Sequence, residues 1–276
     1  MEPKCVFAVY FSPAGSTKAV TERIAGTLAE AFKSERKTID FTLPGAREQK
    51  YVFGPQDLVV FGTPTYAGRV PNKALPFVQT LFSGSRTPAV AVVTFGNRSY
   101  DSSLSELRNE LLNDGLVPLA AAAFSCRHVF SEKIAAGRPD AEDLKEMDSF
   151  AQSAAKKIEA VDQSSTTEPV SVKNDAPVEP YYVPKKEDGT PAKFLKAIPK
   201  VDLSKCDHCL ECVRVCPMGT IDPTDIEKMT GPCIKCQACI LKCHTRARYF
   251  DNPDFLSHVA MLEKNFTRRA SNDFFL

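Results

Sequence analysis

Short apolar runs alternate with amphipathic segments along the first 160 residues of the chain. The apolar runs predict five strands, at Cys5–Phe11, Arg36–Phe41, Asp57–Gly62, Pro88–Phe95 and Leu116–Phe124. Apolar residues at helical spacing predict helices at Thr17–Phe32, Pro71–Phe82, a segment that starts at an N-cap on Asp101, and Ala141–Ala160. This alternation is typical of an α/β fold with a doubly wound parallel sheet, which binds ligands at the carboxyl ends of its strands.

The pattern changes between Asp162 and Lys200, where six prolines are spread among Ser, Thr and charged residues. This composition predicts a semi-extended linker rather than a packed element. Four large side chains are expected to hold the linker on a surface at intervals: Tyr181, Tyr182, Phe194 and Leu195.

Composition and charge narrow the functional classes. The chain has 276 residues with 35 Lys and Arg against 34 Asp and Glu, a balance that points to neither nucleic acid nor a membrane surface. No apolar run is long enough to span a bilayer, and Cys5–Phe11 lacks the basic start and the cleavage pattern of a leader. Ten cysteines without an export signal predict a reducing, cytoplasmic location.

Eight of the ten cysteines lie in one stretch and repeat one spacing twice. The stretch reads Cys206-x2-Cys209-x2-Cys212-x3-Cys216, followed by Cys233-x2-Cys236-x2-Cys239-x3-Cys243. Zinc sites use widely separated cysteine pairs, and a disulfide framework needs an exported protein, so iron–sulfur chemistry is the better interpretation.

The doubled spacing resembles that of bacterial two-cluster ferredoxins, in which the fourth cysteine of each run ligates the other cluster. The resemblance implies two [4Fe–4S] clusters. The ligands of the first would be Cys206, Cys209, Cys212 and Cys243. The ligands of the second would be Cys233, Cys236, Cys239 and Cys216. His244 stands where ferredoxins usually have Pro and Leu210 where Gly is frequent, and both changes can alter the reduction potential.

Three loops follow predicted strands at the edge of the sheet where ligands bind. The first, residues 11–18, carries small hydroxyl side chains and opens directly into a helix, which suits a phosphate monoester. It is neither a Walker loop nor a dinucleotide fingerprint, and an ordinary Ser/Thr helix cap is the alternative interpretation. The other two loops are residues 62–71 and 95–101.

With these loops, the first 160 residues resemble flavodoxins, and the whole chain resembles the flavodoxin–ferredoxin fusion proteins of anaerobic bacteria. The resemblance implies a five-stranded sheet of order 2-1-3-4-5, then a small α+β ferredoxin domain, and bound FMN. The phosphate would be held by Ser12, Ala14, Gly15, Ser16 and Thr17. One side of the ring would contact Thr63, Pro64, Thr65, Tyr66, Ala67 and Gly68. Its other face and its pyrimidine edge would contact Asn97, Arg98 and Tyr100.

The residue types suggest individual roles at the flavin. Tyr66 and Tyr100 offer flat faces for stacking, and Gly68 allows the backbone to approach closely. Arg69 or Arg98 would stabilise a negatively charged reduced ring. The alternatives are that both arginines are solvated and that the tyrosines are half-buried residues of a rim.

Five further residues bear on the same edge of the sheet or on its core. Ala14 and Ser16 replace the Thr and Asn of the flavodoxin phosphate loop, which predicts a weaker phosphate site. Cys126 and His128 follow the fifth strand, either as a redox or proton-transfer pair or, as we favour, as packing residues. Cys5 is expected in the core.

The chain after Tyr249 predicts a helix, with Phe255, Val259, Leu262 and Phe266 on one face. Because the last three residues, 274–276, are apolar, we expect the tail to dock across the two domains near the flavin edge or the linker. The domain boundaries predicted are a flavodoxin-like domain at 1–162, a linker at 163–198, a ferredoxin domain at 199–250, and a helix and tail at 251–276.

Together these features predict an electron-transfer protein that passes electrons between its clusters and FMN, and to or from redox protein partners. No catalytic acid–base pair can be recognised in the sequence. One alternative is an FMN-dependent reductase of a small acceptor, fed by the clusters. Another is a redox sensor whose flavodoxin domain is empty. The sequence leaves the partners, the potentials and the oligomeric state open.

Overall fold

The computed structural model describes residues 2–161, 168–173 and 177–276. Its largest feature is a six-stranded sheet, whose strands are numbered along the chain: β1 (Cys5–Tyr10), β2 (Glu35–Asp40), β4 (Asp57–Pro64), β6 (Thr87–Phe95), β7 (Leu116–Ser125) and β10 (Asp273–Phe275). Their order in the sheet is β10-β7-β6-β4-β1-β2. All pairings among β1, β2, β4, β6 and β7 are parallel. Their order confirms the predicted doubly wound, flavodoxin-like arrangement 2-1-3-4-5.

Helices cover both faces of the sheet. On one face lie α1 (Ser16–Phe32) and α4 (Ala141–Ala160), and on the other lie α2 (Leu75–Leu81) and α3 (Ser103–Asn113). Every residue of β6 is buried, as expected for a central parallel strand whose sequence is a continuous apolar run. None of the described helices is long and apolar enough to cross a membrane.

Two helix starts differ from the predictions. The helix expected at Pro71–Phe82 begins only at Leu75, and Phe82 instead opens β5 (Phe82–Gly84), which pairs with β3 (Tyr51–Phe53). The predicted N-cap on Asp101 is wrong, because the cap position of α3 is Ser102. Asp101 has a positive φ of 42° and its carboxylate pairs with Arg98.

The sixth strand comes from the end of the chain. β10 pairs antiparallel with β7, with Phe274 opposite Ala122, and so covers what would be an open sheet edge. The ring of Phe274 lies 5.5 Å from those of both Phe124 and Phe150. The tail therefore docks on the flavodoxin-like sheet, which gains an antiparallel strand beyond the five that were predicted.

A buried ion pair holds the segment before β10. Arg138 and Asp143 are both buried, and Arg138 Nε donates to Asp143 Oδ2 at 2.9 Å. Arg138 Nη1 donates to the carbonyl oxygen of Ala270 at 2.6 Å, and Asn272 Nδ2 donates to Asp143 Oδ1 at 3.0 Å. The Asn272 side chain also accepts a bond from the backbone N–H of Ser125, at 2.8 Å. These contacts tie the tail to β7 and α4.

The described residues of the proline-rich segment contact the sheet domain at several points. Part of the segment, residues 162–167 and 174–176, lies outside the described residues. Val170 and Val172 are buried in the core, which the expectation of an unpacked linker did not include. Farther on, the N–H of Tyr182 donates to the carbonyl oxygen of Ala67 at 2.8 Å. This segment therefore reaches one of the predicted flavin loops.

The cysteine-rich part of the chain is small and has two similar halves. It contains the paired strands β8 (Lys200–Val201) and β9 (Arg248–Tyr249) and the short helices α5 (Glu211–Arg214) and α6 (Ala238–Leu241). The helix α7 (Pro253–Asn265) follows it. In α7 the side chains of Phe255 and Leu262 are buried, as predicted, together with those of His258 and Met261.

The same backbone turn occurs in both halves of the cysteine run. Positive φ angles occur at His208 and Leu210 in the first half, and at Lys235 and Gln237 at the matching positions of the second. The angles at Leu210 and Gln237 are 60° and 64°, in the left-handed region where glycine is favoured. This explains why Gly is frequent in ferredoxins at the position of Leu210.

Candidate functional site

A cavity of about 590 Å³ lies at the carboxyl ends of the parallel strands. Ten of the fourteen predicted flavin residues line it: Ser12, Ala14, Ser16, Thr17, Pro64, Thr65, Tyr66, Ala67, Gly68 and Arg98. The volume lies in the range of small-molecule and cofactor sites. The sheet topology thus brings the three predicted loops to one place.

The first loop leaves the start of α1 open for an anion. The N-cap residue Gly15 has a φ of 96°, makes no side-chain cap, and is followed by no acidic residue in the first turn. The Ser12 hydroxyl accepts a bond from the N–H of Lys18 at 2.8 Å, which folds the loop over the helix end. A helix start without acidic residues leaves the helix dipole uncompensated, which fits a phosphate, although Ser12 already accepts the N–H of Lys18 and Ala14 adds no hydroxyl donor.

The second loop makes a tight turn on the cavity wall. Tyr66 and Arg69 exchange two backbone hydrogen bonds, of 2.9 and 3.1 Å, around Ala67 and Gly68, which both have positive φ. A Cβ on Gly68 would collide with the carboxylate of Asp101, so only glycine fits. Burial raises the pKa of the Tyr66 hydroxyl well above its usual range, and the thiols of Cys236 and Cys233 act in the same direction.

The two arginines considered for the flavin have carboxylate partners. Arg69 Nε donates to Glu106 at 2.8 Å, and its guanidinium lies 4.8 Å from the centre of the Tyr181 ring. Arg69 is not among the residues that line the cavity. Arg98 does line it, pairs with Asp101, and lies 4.0 Å from the centre of the Tyr182 ring.

Four predicted flavin residues do not line the cavity: Gly15, Thr63, Asn97 and Tyr100. Asn97 is buried, and its Nδ2 donates to the carbonyl oxygens of Phe266 and Arg268, both at 2.7 Å. The Tyr100 hydroxyl donates to Asp273 at 2.6 Å. The structure does not bring Asn97 and Tyr100 to this cavity, and the C-terminal tail engages both side chains.

The cavity also has a wall that the sequence did not assign to it. Cys126 and His128 line it beside Phe130, and His258 of α7 adds a second imidazole. His128 Nδ1 accepts the N–H of Phe130 at 3.1 Å, and burial lowers the pKa of His128 to about 4. Burial also lowers the pKa of His258 and raises that of Cys126 to about 12. Near neutral pH both imidazoles are uncharged and the thiol is protonated.

The sequence contained an indication of this wall of the cavity, but it could be interpreted in two ways. Cys126 and His128 follow the fifth predicted strand, where packing was the favoured interpretation. All four side chains expected to hold the linker line the cavity: Tyr181, Tyr182, Phe194 and Leu195. Phe194 is buried, whereas Leu195 is 88% exposed.

The second set of cysteines converges on a smaller cavity, which is lined by Cys216, Cys233, Cys236 and Cys239. The apolar side chains of Ile221 and Ile234 line the same cavity. The arrangement brings together three close cysteines and the distant Cys216.

The first set lies nearer the surface. Cys206 and Cys243 pack against one small apolar cluster, formed by Val201, Ile226 and Ala247. Cys209 is exposed, and its Sγ lies within 4.8 Å of ligand atoms of Asp207 and His244. The side chains of Asp207 and His244 form a hydrogen bond of 2.9 Å with each other.

Several donors are directed at the sulfur atoms. The N–H groups of His208 and Lys235 each lie 3.4 Å from the Sγ of the cysteine two residues earlier, Cys206 and Cys233. Burial alone would raise the pKa of Cys243, but hydrogen bonds, including those from Thr245 and from the N–H of Arg248, lower it. Such donors stabilise thiolates, which are the form that binds iron.

The contacts of the buried Arg248 show whether iron–sulfur clusters would fit between the two sets of cysteines. Its Nη2 donates to Cys212 Sγ at 3.3 Å and to the carbonyl oxygen of Ile226 at 2.5 Å. Its Nε and Nη1 are buried without a hydrogen-bond partner among the described residues. Buried cationic donors without acceptors are costly, and the inorganic sulfides and thiolates of clusters would supply acceptors here.

The two cavities share a wall. Residues 232–235 line both, and Cys233 is among them. The loops at Ser12 and Tyr66 line the larger cavity as well, and Tyr66 lies close enough to Cys236 and Cys233 for these to add to the effect of burial in raising its pKa. The second set of cysteines is therefore adjacent to the cavity at the sheet.

Two groups of known proteins resemble the chain, one its cysteine-rich part and the other its first part. The family model described as "4Fe-4S binding domain" matches residues 198–221, which include the first four cysteines of the run. Over 73 residues the chain is 33% identical to an uncharacterized ferredoxin of Methanocaldococcus jannaschii. That match covers 25% of this chain and 48% of the relative, so the chain spans about half the length of the protein it matches.

Solved flavodoxin structures resemble the first part of the chain. A flavodoxin from the domain Archaea is 14% identical over 56% of this chain and 99% of its own, with a TM-score of 0.40. Oxidised flavodoxin 2 from Bacillus cereus is 15% identical at the same coverage and TM-score. Rubredoxin oxygen:oxidoreductase from Desulfovibrio gigas is 20% identical over 58% of this chain and 37% of its own, with a TM-score of 0.35. Because these scores lie below 0.5, the fold assignment depends on the strand order described above.

The chain thus has two parts of different fold. The first has the strand order of a flavodoxin-like α/β sheet, and the second contains a match to a ferredoxin-type 4Fe-4S domain. This combination fits a flavodoxin–ferredoxin fusion and supports a role in electron transfer.

Proposed function

We propose that this protein carries electrons between two [4Fe–4S] clusters and FMN, and exchanges them with redox protein partners. The observation that carries the proposal is the shared wall at residues 232–235, where a predicted cluster ligand also borders the cavity at the sheet. Electron tunnelling falls steeply with distance, so two centres on either side of one wall are well placed for exchange.

The cluster ligands proposed are those of the two sets. Cys206, Cys209, Cys212 and Cys243 would hold one cluster, and Cys216, Cys233, Cys236 and Cys239 the other. The unpartnered N–H groups of Arg248 support this, because they need acceptors between the sets. Clusters supply one-electron chemistry, and FMN supplies both one- and two-electron chemistry.

The flavin residues proposed are those that line the larger cavity. The start of α1 and Ser12 would bind the phosphate, and the turn at Tyr66–Gly68 would contact the ring. The uncharged wall of His128, Phe130 and Phe194 would exclude water from the ring. The domain boundaries 1–162, 163–198, 199–250 and 251–276 remain part of the proposal.

Exposure suggests where partners exchange electrons. Cys209 is exposed, whereas Cys236, at the matching position of the second half, is buried. We therefore assign the surface around Cys209 to partner docking and the second set to exchange with the cavity. The partners would be redox proteins that approach the cysteine-rich part rather than the sheet.

A second candidate function is reduction of a small acceptor at the flavin. The observation in its favour is the pair of uncharged imidazoles, His128 and His258, on the cavity wall. Their Nδ1 atoms are engaged, by the Phe130 N–H and by the Lys185 carbonyl at 2.8 Å. Turnover of a quinone or a nitro compound faster than exchange with a ferredoxin would favour this function over the carrier.

Stepwise anaerobic reduction of the FMN-supplemented protein, followed by visible absorption, tests the proposal. We expect flavin and iron–sulfur bands to bleach in sequence and to equilibrate between additions, because the centres are adjacent. The order of bleaching gives the order of their potentials. An iron–sulfur band without a flavin band would contradict the FMN assignment and favour a sensing or docking role for the sheet domain.

A further inference from the structure

Arg248 is the one buried cation of the described cysteine-rich part, residues 199–250, and it has no carboxylate partner there. It lies on β9 and is 3% exposed. The other buried arginine of the described chain, Arg138, is paired with Asp143. A buried charge normally has such a partner, because water no longer solvates it. The negative charge that balances Arg248 must therefore come from another source.

The groups that face Arg248 belong to both cysteine sets. Its Nη2 donates to Cys212 Sγ of the first set at 3.3 Å. Its backbone N–H lies near Cys243 of the same set. Cys239 and Cys233 of the second set also lie near Arg248. Arg248 thus stands between the two proposed cluster sites.

We propose that Arg248 is a positioning residue that bridges the two clusters and raises the reduction potential of both. The inference rests on the proposed function, since it needs clusters at the two cysteine sets. Two N–H groups of the guanidinium, Nε and Nη1, have no acceptor among the described residues, and cluster sulfur atoms between the sets would accept them. The planar guanidinium can donate in several directions at once, which suits a bridge.

The sign of the effect follows from charge. Each cluster gains one negative charge when it accepts one electron. A fixed positive charge nearby stabilises the reduced form more than the oxidised form, and low local dielectric strengthens the effect. Hydrogen bonds to cluster sulfur atoms act in the same direction. Loss of Arg248 therefore shifts both one-electron equilibria toward the oxidised clusters.

The experiment measures the midpoint potentials of both clusters in the full chain by anaerobic spectroelectrochemistry. We expect Arg248→Gln to shift each one-electron equilibrium about tenfold toward the oxidised form, which corresponds to about 59 mV. Arg248→Lys keeps the charge and should shift each equilibrium less than the Gln variant does. The matched control is Arg214→Gln, which removes an exposed arginine of the same part and should shift either equilibrium less than twofold.

Unchanged potentials in Arg248→Gln, or an equal shift in Arg214→Gln, would overturn the inference. If Arg248→Gln assembles no clusters, iron content decides: recovery of the wild-type content in Arg248→Lys supports a requirement for the charge. Loss of iron in both variants shows a role in packing alone and overturns the bridge. A wild-type protein without [4Fe–4S] clusters would instead refute the proposed function, so the two failures are distinguishable.

Discussion

His128 is a titratable residue whose pKa is strongly lowered by burial. Its ring lies 5.0 Å from that of Phe130, and a Cβ on Gly96 would collide with it, so it is held closely on the cavity wall. Burial lowers its pKa to about 4 from an ordinary value of 6.5, with smaller contributions from His258 and Arg98. The folded protein therefore holds His128 neutral where the unfolded chain would protonate it.

This difference predicts a pH dependence of stability. Because the folded pKa is depressed, the unfolded state binds the extra proton below about pH 6.5, and stability falls as the pH decreases toward 4. Between pH 7 and pH 5 we expect His128 to account for a loss of about 2 kcal/mol in the free energy of unfolding. His258 contributes in the same direction, since burial lowers its pKa too.

The measurement is chemical denaturation at pH 7 and at pH 5, with wild type compared with His128→Gln. Glutamine does not titrate, so the variant should lose less stability between the two values. Identical pH dependence in both proteins would show that His128 is not held neutral by the fold.

The sequence foresaw the positions of these site residues only in part. Loop position and residue type indicated Ser12 and Tyr66, because both follow strands whose carboxyl ends were predictable. Asn97 and Tyr100 lie in an equally well predicted loop, yet their side chains bond to Phe266, Arg268 and Asp273 near the end of the chain. Local patterns carry no information on partners that are so distant in sequence.

At the scale of elements, the tail is secured by one buried charge network. Arg138 joins Asp143 of α4 to the backbone of Ala270, and Asn272 completes the network beside β7. Removal of one member of a buried pair leaves the other charge without compensation. The network therefore connects the stability of the sheet edge to the last residues of the chain.

We expect Arg138→Ala to lower the free energy of unfolding by about 3–5 kcal/mol, the usual cost of breaking a buried pair. The matched control is Arg23→Ala, which breaks the more exposed pair with Asp148 and should cost less than about 1 kcal/mol. Urea denaturation followed by circular dichroism gives both values. Equal losses of unfolding free energy in the two variants would mean that burial does not make the Arg138 pair more important for stability.

The elements themselves were largely predictable, because strands and helices of the sheet domain differ in periodicity. α4 was predicted with its observed limits, Ala141–Ala160. β10 was not predicted as a strand, because a strand of three residues has no periodicity of its own and forms only through its pairing with β7. The sequence predicted an unpacked linker for the proline-rich segment. The burial of Val170 and Val172 was not predictable, because it depends on contacts with the folded sheet domain.

At the scale of the whole molecule, the segment around Tyr181 and Tyr182 closes the cavity from outside. The Tyr181 hydroxyl donates to the Val70 carbonyl at 3.0 Å, and the Tyr182 N–H donates to the Ala67 carbonyl at 2.8 Å. Arg98 lies over the ring of Tyr182. A ligand at the sheet is therefore covered by the linker on one side and by the cysteine-rich part on another.

Tyr182→Ala should loosen this cover. We expect FMN to dissociate about tenfold faster, because the variant removes both a stacked ring and part of the cavity wall, together about 1.4 kcal/mol. Stopped-flow fluorescence of released flavin measures the rate. Val183→Ala, at the neighbouring and exposed position, is the control and should leave the rate unchanged. A rate in Tyr182→Ala equal to that of the control would exclude a covering role.

The shared wall at residues 232–235 also bears on how the protein is made in the cell. These residues open the second half of the cysteine run and include Cys233. Under the proposed function, their position depends on the run being folded around iron. A newly synthesised chain that has not received iron would have an unfinished pocket at the sheet. We therefore expect iron delivery to precede flavin capture during biosynthesis, and iron starvation to leave the protein without either cofactor.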